Sequence, residues 1–412
     1  MTTKLDYLAL TRYYTPGFRG GGPIQSVSNL VKAFGGEIRF GVLTTDRDFG
    51  DTHAYQNLET ELWTNQNKSK TYYTAPGRVQ WLRVLRVLLE TQYRVLYLNS
   101  FFDRSFSIIP ILLLNLLGWN HVQILIAPRG EFTPGALKIK RVRKTLYICL
   151  ARASRLYSSA IWHASSEDEK KQILKVMGAG ATTEVAMPSP SAGIHVAQDL
   201  LAPKPPSRED VKNRGCIEDG VLKIIFLSRI TRMKNLIYAL QVLAEIDRNC
   251  VLDIYGTVDD PRYVEECRKY ANTIPPRIQI RWHSEVKHEH VAGLLSCYDV
   301  LFLPTLGENF GHVIGEALSV GLPVLISDRT PWKGIQESGA GWVIPIEDRR
   351  QFVTVITSLA DSAPEDRRGF SRNAERYYTR YASEHDALQR NREMLRRALN
   401  EVRCESYACK TQ

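Results

Sequence analysis

The residues Gly307-Glu308-Asn309-Phe310-Gly311-His312-Val313-Ile314-Gly315-Glu316 place two carboxylates eight positions apart around a glycine-bearing turn. The apolar run Asp299 to Pro304 before them reads as a buried strand. The run Ile314 to Val320 after them reads as a helix closed by Gly321. In a parallel α/β sheet such a turn lies at the carboxyl ends of the strands, where ligands bind. The N–H groups of the new helix present about half a positive charge to an anion. Carboxylates beside a phosphate would repel it, so Glu308 and Glu316 are better suited to accept hydrogen bonds from hydroxyls. The spacing asks for a ligand that carries phosphate and sugar together.

A second cluster, Leu227-Ser228-Arg229-Ile230-Thr231-Arg232-Met233-Lys234-Asn235-Leu236, closes another strand with three cations before a helix. At about 4 Å and an effective dielectric near 20, one pair of unit charges is worth roughly 4 kcal/mol. Two such cations would stabilise a departing diphosphate substantially. A third segment, Tyr14 to Pro23, holds Gly17, Gly20, Gly21 and Gly22 between the first strand and the first helix. These glycines let the backbone approach a ligand closely. Their spacing is neither a G-x-G-x-x-G fingerprint nor a phosphate-binding loop ending in Gly-Lys-Ser/Thr.

The elements that must position these residues alternate along the chain. Strands are expected at Leu5 to Leu10, Ile38 to Leu43, Val95 to Leu98, Val122 to Ile126 and Ala160 to His163. Helices are expected at Ile24 to Phe34, Val79 to Leu89, Phe106 to Leu117, Lys138 to Ser154 and Glu167 to Met177. Such alternation gives a parallel sheet covered by helices on both faces. Around 201–220 the pattern lapses into prolines and charges, as in a linker. A second alternating set follows over 221–380, and 381–412 reads as a C-terminal helix and tail. The first domain is then 1–200. The fold class expected is α/β, with two Rossmann-like doubly wound domains facing across a cleft.

Composition narrows the function classes. The 412 residues exceed one ordinary core. Seven cysteines, odd in number and without a C-x-x-C pair, favour a reduced, cytoplasmic chain over a disulfide framework or a zinc site. Met1 to Asp6 leads straight into a strand without a signal-peptide pattern, and the longest apolar run, Ile108 to Leu117, is too short to span a bilayer.

The net charge of +10 is uneven. Eight basic residues stand between Arg129 and Arg155 against the single acid Glu131, and Arg78 to Leu89 is a basic amphipathic pattern. Solvated helix faces are one reading. The other is a surface resting on anionic lipid, which would make the chain peripheral on the inner face of the cell membrane. Nucleic acid is not expected as a partner, because no aromatic stacking platform accompanies the charge.

Four motifs together, Ser228-Arg229-x4-Lys234-Asn235, Asp253-Ile254-Tyr255-Gly256, Gly307-Glu308-Asn309-Phe310-Gly311-x4-Glu316-Ala317-Leu318 and Gly321-x-Pro323-Val324-x3-Asp328, closely resemble the retaining family 4 glycosyltransferases. The resemblance covers the second domain. The first domain matches more loosely, through the glycine-rich loop, Ala127-Pro128-Arg129-Gly130-Glu131 and His163-Ala164-Ser165-Ser166-Glu167, in the manner of enzymes that assemble bacterial surface polysaccharides.

This resemblance implies the GT-B fold and transfer of a sugar from a UDP- or GDP-linked donor, without metal or cofactor, to an acceptor hydroxyl. The acceptor implied is a lipid-linked saccharide of exopolysaccharide, capsule or O-antigen assembly. Arg229 and Lys234 would bind the donor diphosphate, Glu308 the hydroxyls of the transferred sugar, and Glu316 the ribose. Arg229, Lys234 and Glu308 form the catalytic set. Backbone groups of Asn309, Phe310, Gly311 and His312, and Gly20, Gly21 and Gly22 from the facing domain, would complete the donor site. Where many relatives carry a histidine beside the reacting carbon, this chain has Arg129, which keeps a donor but cannot act as a base near neutral pH. His163 is either a ligand-facing group or a satisfied buried histidine. The same residues would also serve a nucleotide-sugar epimerase, or a non-catalytic protein that binds a sugar nucleotide.

Overall fold

The computed structural model describes residues 4–66, 68–119, 121–178, 194–196, 221–384 and 386–401. The chain forms two compact units, one of residues 1–200 and 386–412, the other of residues 201–385. The expected linker at 201–220, and Cys216, Cys404 and Cys409, lie outside the described residues.

The first unit is built on an eight-stranded sheet: β1 (Tyr7–Leu10), β2 (Phe40–Thr45), β3 (Trp63–Gln66), β4 (Ser69–Thr74), β5 (Val95–Leu98), β6 (Gln123–Ile126), β7 (Ile161–Ala164) and β8 (Ile194–Val196). Their spatial order is β3-β4-β2-β1-β5-β6-β7-β8, parallel except for the β3–β4 pair. The hairpin β3–β4 was not expected. It is an edge pair of short, mostly polar strands, so the apolar run that marks a buried parallel strand is missing. Side chains alternate between the two faces of the sheet. Leu8, Leu10, Leu96, Leu98, Ile124 and Ile126 join one core with Val84, Val87, Leu88, Ile111 and Leu114. Tyr7, Ala9, Val95, Tyr97 and Leu125 join the other with Val27, Leu30 and Phe34 of the helix Gly22–Phe34.

The C-terminal region, expected as a helix and tail over 381–412, holds two helices, Pro364–Glu384 and Ala387–Asn400. Asp386 separates them in a left-handed conformation (φ 37°), and its carboxylate accepts from Gln389 N at 3.2 Å to start the second helix. Pro364–Glu384 belongs to the second unit. Ala387–Asn400 returns to the first, because Met394, Leu395 and Ala398 form an apolar stripe that fills the core on the Gly22–Phe34 face. Burying a side chain such as Met or Leu contributes about 1.5–3 kcal/mol. Tyr7 Oη donates to Leu395 O at 2.6 Å, and Arg392 pairs with Glu37 at 3.2 Å.

The second unit carries six parallel strands: β9 (Leu222–Leu227), β10 (Cys250–Tyr255), β11 (Ile278–Trp282), β12 (Val300–Leu303), β13 (Val324–Ser327) and β14 (Gly341–Ile344). Their order is β11-β10-β9-β12-β13-β14. The chain therefore starts in the middle, builds to one side, then crosses back to build the other. The reversal falls between β9 and β12, and the carboxyl ends of the strands at such a point are the usual ligand position in these sheets. In the first sheet β1 lies between β2 and β5, so the corresponding reversal falls between β1 and β5. The fold is the expected α/β pair of parallel-sheet domains with a helical C-terminal region.

Candidate functional site

The reversal point of the second sheet holds the expected residues. After β9 the chain makes a short 3-10 turn, Arg232–Lys234, and Asn235 adopts a left-handed conformation (φ 60°) before the helix Leu236–Ala244. After β12 the loop leads into the helix His312–Ser319. The two loops are fastened together: Leu306 N and Thr305 Oγ1 both donate to Met233 O, at 2.8 and 3.0 Å. This clamp brings Lys234 against Glu308, and their side chains form an ion pair, each about one-seventh exposed (15% and 13%). Glu308 is held from both ends. Its N–H donates to Arg329 O at 2.9 Å, and its Oε1 accepts from Asn309 N at 3.3 Å.

Gly311 caps the helix His312–Ser319 at φ 79°. A Cβ there would stand 2.9 Å from Glu308 Cγ and from Ile314 Cδ1. Glycine is therefore required both for the turn and to keep Glu308 in place. Phe310 is a packing residue whose ring is buried against Trp332 and whose carbonyl accepts from Trp332 Nε1 at 2.6 Å. Any ligand contact at Phe310 would run through its N–H. His312 sets its ring edge-on to Phe310 at 4.9 Å.

Glu316 lies in the second turn of the helix, with Oε1 3.4 Å from His288 Nδ1. Arg229, just beyond β9, is less tightly held: its side chain is 41% exposed and its guanidinium lies 3.5 Å from Asp259. Arg232 turns to Glu266 and stacks on the ring of Tyr263, away from that cluster. Asp260 caps the helix Pro261–Ala271 through Arg262 N and Tyr263 N, both at 3.1 Å. The second unit thus collects cations and carboxylates that are partnered yet accessible.

The first unit's reversal point has a different character. Gly21 caps the helix Gly22–Phe34 at φ 69°, and Asp48 shapes the glycine-rich loop by accepting from Phe18 N at 2.7 Å and Arg19 N at 3.0 Å. Gly20 packs closely, since a Cβ there would stand 2.9 Å from Ile24 Cδ1. From this loop a chain of hydrogen bonds runs inward. Asn99 Nδ2 donates to Pro23 O at 3.1 Å, and Arg129 Nε donates to Asn99 Oδ1 at 2.8 Å. Arg129 Nη2 donates to Tyr97 Oη at 2.5 Å, which lies 3.1 Å from His163 Nδ1.

His163 is buried in the first unit. The residue is 1% exposed, its ring stacks on Tyr97, and the Tyr97 hydroxyl links it to Arg129. Arg129 and Gly130 are both left-handed (φ 54° and 78°), fixed by Gly130 N donating to Glu169 Oε1 at 2.7 Å. Glu131 accepts from Phe101 N, Phe102 N and Ser100 Oγ. Burial raises its pKa, while those bonds and Lys144 oppose the rise.

Sequence reasoning missed Tyr97, Asn99, Asp259 and His288. Tyr97 and Asn99 left a trace, as polar groups in and just beyond the apolar run of β5. Asp259 and His288 left none, because their partners are brought to them only by the fold.

The family model described as glycosyl transferases group 1 matches residues 207–377. A D-inositol 3-phosphate glycosyltransferase of Xylanimonas cellulosilytica is 29% identical over 170 residues, and the match spans 39% of this chain and 39% of that protein. Among solved structures, Anabaena HepE in complex with UDP-glucose superposes with a TM-score of 0.69 at 16% identity, over 95% of this chain and 98% of the other. WaaG, a glycosyltransferase involved in lipopolysaccharide biosynthesis, superposes at 0.61 with 16% identity, over 94% and 98%. At these identities the structures speak for the fold. The chain has the GT-B fold, and the stretch that matches the glycosyl transferases group 1 model, residues 207–377, falls within its second unit.

Proposed function

We propose that the chain is a retaining glycosyltransferase that moves a sugar from a UDP- or GDP-linked donor to the hydroxyl of a lipid-linked saccharide. The observation that carries this reading is the Lys234–Glu308 ion pair at the reversal between β9 and β12, beside the amino end of the helix His312–Ser319. An ammonium, a carboxylate and a helix N-terminus in one place match a ligand with phosphate at one end and hydroxyls at the other. Structures of the same fold support it: Anabaena HepE has been solved in complex with UDP and glucose, and with UDP-glucose.

In the proposed reaction the bond from the anomeric carbon to the diphosphate oxygen breaks as the acceptor oxygen attacks the same face. The acceptor's proton passes to the departing phosphate oxygen. Lys234, Arg229 and the helix N-terminus counter the charge growing on that diphosphate, the task a metal performs elsewhere. One preorganised donor of this kind is worth about 3–4 kcal/mol. Glu308 releases Lys234 to the phosphate and takes sugar hydroxyls in exchange, while Glu316 and His288 hold the ribose. Placement on the cytoplasmic side, peripheral to the membrane and in surface-polysaccharide assembly, belongs to the same proposal.

Screening UDP- and GDP-sugars for protection against thermal unfolding tests it, since a ligand that binds only the folded state raises its stability. A protecting donor should then be hydrolysed slowly and transferred with its anomeric configuration kept. Isomerised sugar without any acceptor would identify an epimerase instead. Binding without turnover would identify a non-catalytic receptor.

A further inference from the structure

We infer that the helix Arg141–Ala153 is a membrane-docking surface that lays an aliphatic stripe into a leaflet of anionic phospholipid. This deepens the proposed lipid-linked acceptor by naming the surface that would reach it. It rests on the fold of the first unit and not on the chemistry of transfer. Only Ala151 of this helix is buried. Val142 is 80% exposed, Leu146 and Leu150 60% each, and Ile139 just before the helix 61%. At 100° per residue Val142, Leu146, Cys149, Leu150 and Ala153 share one face, opposite Ala151. Arg143 borders that face on one side, and Arg141 and Arg152 border it on the other. No carboxylate occurs between Glu131 and Glu167.

The neighbouring helices show why this face is unusual. Helix Gln80–Glu90, amphipathic but less basic (Arg83 and Arg86 against Glu90), spends Val84, Val87 and Leu88 on the core, leaving Leu82 and Leu89 half-exposed. Helix Ile109–Leu116, whose Ile111 and Leu114 join the same core, leaves Leu116 84% exposed. Its Asn115 donates to Leu156 O at 3.5 Å, close beyond the basic helix. Lys144 does not belong to the surface, because it turns inward to Ala136 O and lies over the ring of Phe102. Lys138, Lys140, Arg141, Arg143 and Arg155 remain exposed. An aliphatic centre with cationic edges fits a bilayer interface, where the stripe enters the acyl boundary and the arginines meet headgroup phosphates. A nucleic acid would use the cations and leave the stripe in water.

The test is flotation of the full chain with vesicles of phosphatidylcholine alone or mixed with phosphatidylglycerol. The wild type should float with the mixed vesicles and poorly with the neutral ones. V142D/L146D/L150D should lose at least about tenfold in partition, and R141E/R143E should lose most of the preference for phosphatidylglycerol, each basic residue contributing roughly fivefold. Both variants alter exposed positions, so their melting temperatures and donor hydrolysis should match the wild type. Equal flotation of the aspartate variant would overturn the inference. Tighter binding of the wild type to duplex RNA or to an acidic peptide than to the mixed vesicles would overturn it as well. If the vesicles bind but no donor does, the transfer reading fails and the docking surface stands.

Discussion

The two sheet-reversal points differ in what their polar groups are tied to. In the first unit, Asn99, Arg129, Tyr97 and His163 form a mostly buried chain in which each group's partner is another fixed protein group. In the second, Lys234, Glu308 and Arg229 are paired with counter-ions and Glu316 lies beside His288, all partly exposed. Opening the first network would leave buried donors and acceptors unsatisfied, at about 1–3 kcal/mol each. Under the proposed function opening the second costs less, because the phosphate and sugar hydroxyls of the donor would replace the partners that are lost. The first network therefore shapes a loop, and in the proposed reaction the second exchanges partners.

The largest expected effect that would break this contrast is at Lys234. Lys234→Ala should lower kcat/KM for donor turnover by about 100- to 1,000-fold, the loss of one preorganised charge donor. Its melting temperature should stay near the wild type's, and steady-state kinetics beside a thermal melt checks both. His163→Ala should behave in the opposite way. It empties a buried hydrogen-bonded site and should lower unfolding stability by roughly 1–3 kcal/mol, measured by urea denaturation. Donor affinity should remain unchanged. A smaller effect is expected at Glu316, where Glu316→Ala removes hydroxyl acceptors near His288. Donor affinity should weaken by roughly tenfold with kcat little altered, the signature of lost ground-state binding. If Glu316→Ala cut kcat and left affinity intact, the assignment to the ribose would fail.

Much of this architecture was legible in the residues. Val95–Leu98, Ile278–Trp282, Val300–Leu303 and Gly341–Ile344 fall where apolar runs end at polar or turn-forming residues. Helix Glu167–Met177 starts at the Ser166 cap and its three acids, as charge and capping dictate. The break at Lys140 was not legible. A left-handed lysine starts the helix at Arg141 and not at the expected Lys138, with a separate short helix, Pro134–Lys138, before it, and nothing in its side chain announces that backbone. Met394, Leu395 and Ala398 gave a helix with an apolar stripe, but no local signal says which sheet that stripe covers. At the site, loop positions followed from strand-to-helix punctuation. The contact between Lys234 and Glu308 joins residues 74 positions apart and depends on β9 lying beside β12. The basic patch was read as a charge pattern alone. Its aliphatic stripe became visible only once Ala151 was seen to be the helix's single buried residue among those described.

The most direct test of the exchange account is calorimetric titration of the protecting UDP- or GDP-sugar onto the wild type, Lys234→Ala and His163→Ala. Donor affinity should fall by at least about 100-fold in Lys234→Ala, the loss expected when a charge-assisted phosphate contact worth roughly 3 kcal/mol disappears, and stay at the wild-type value in His163→Ala. Equal affinity of Lys234→Ala and the wild type would show that the donor does not take Glu308's place at Lys234, and the account would be wrong.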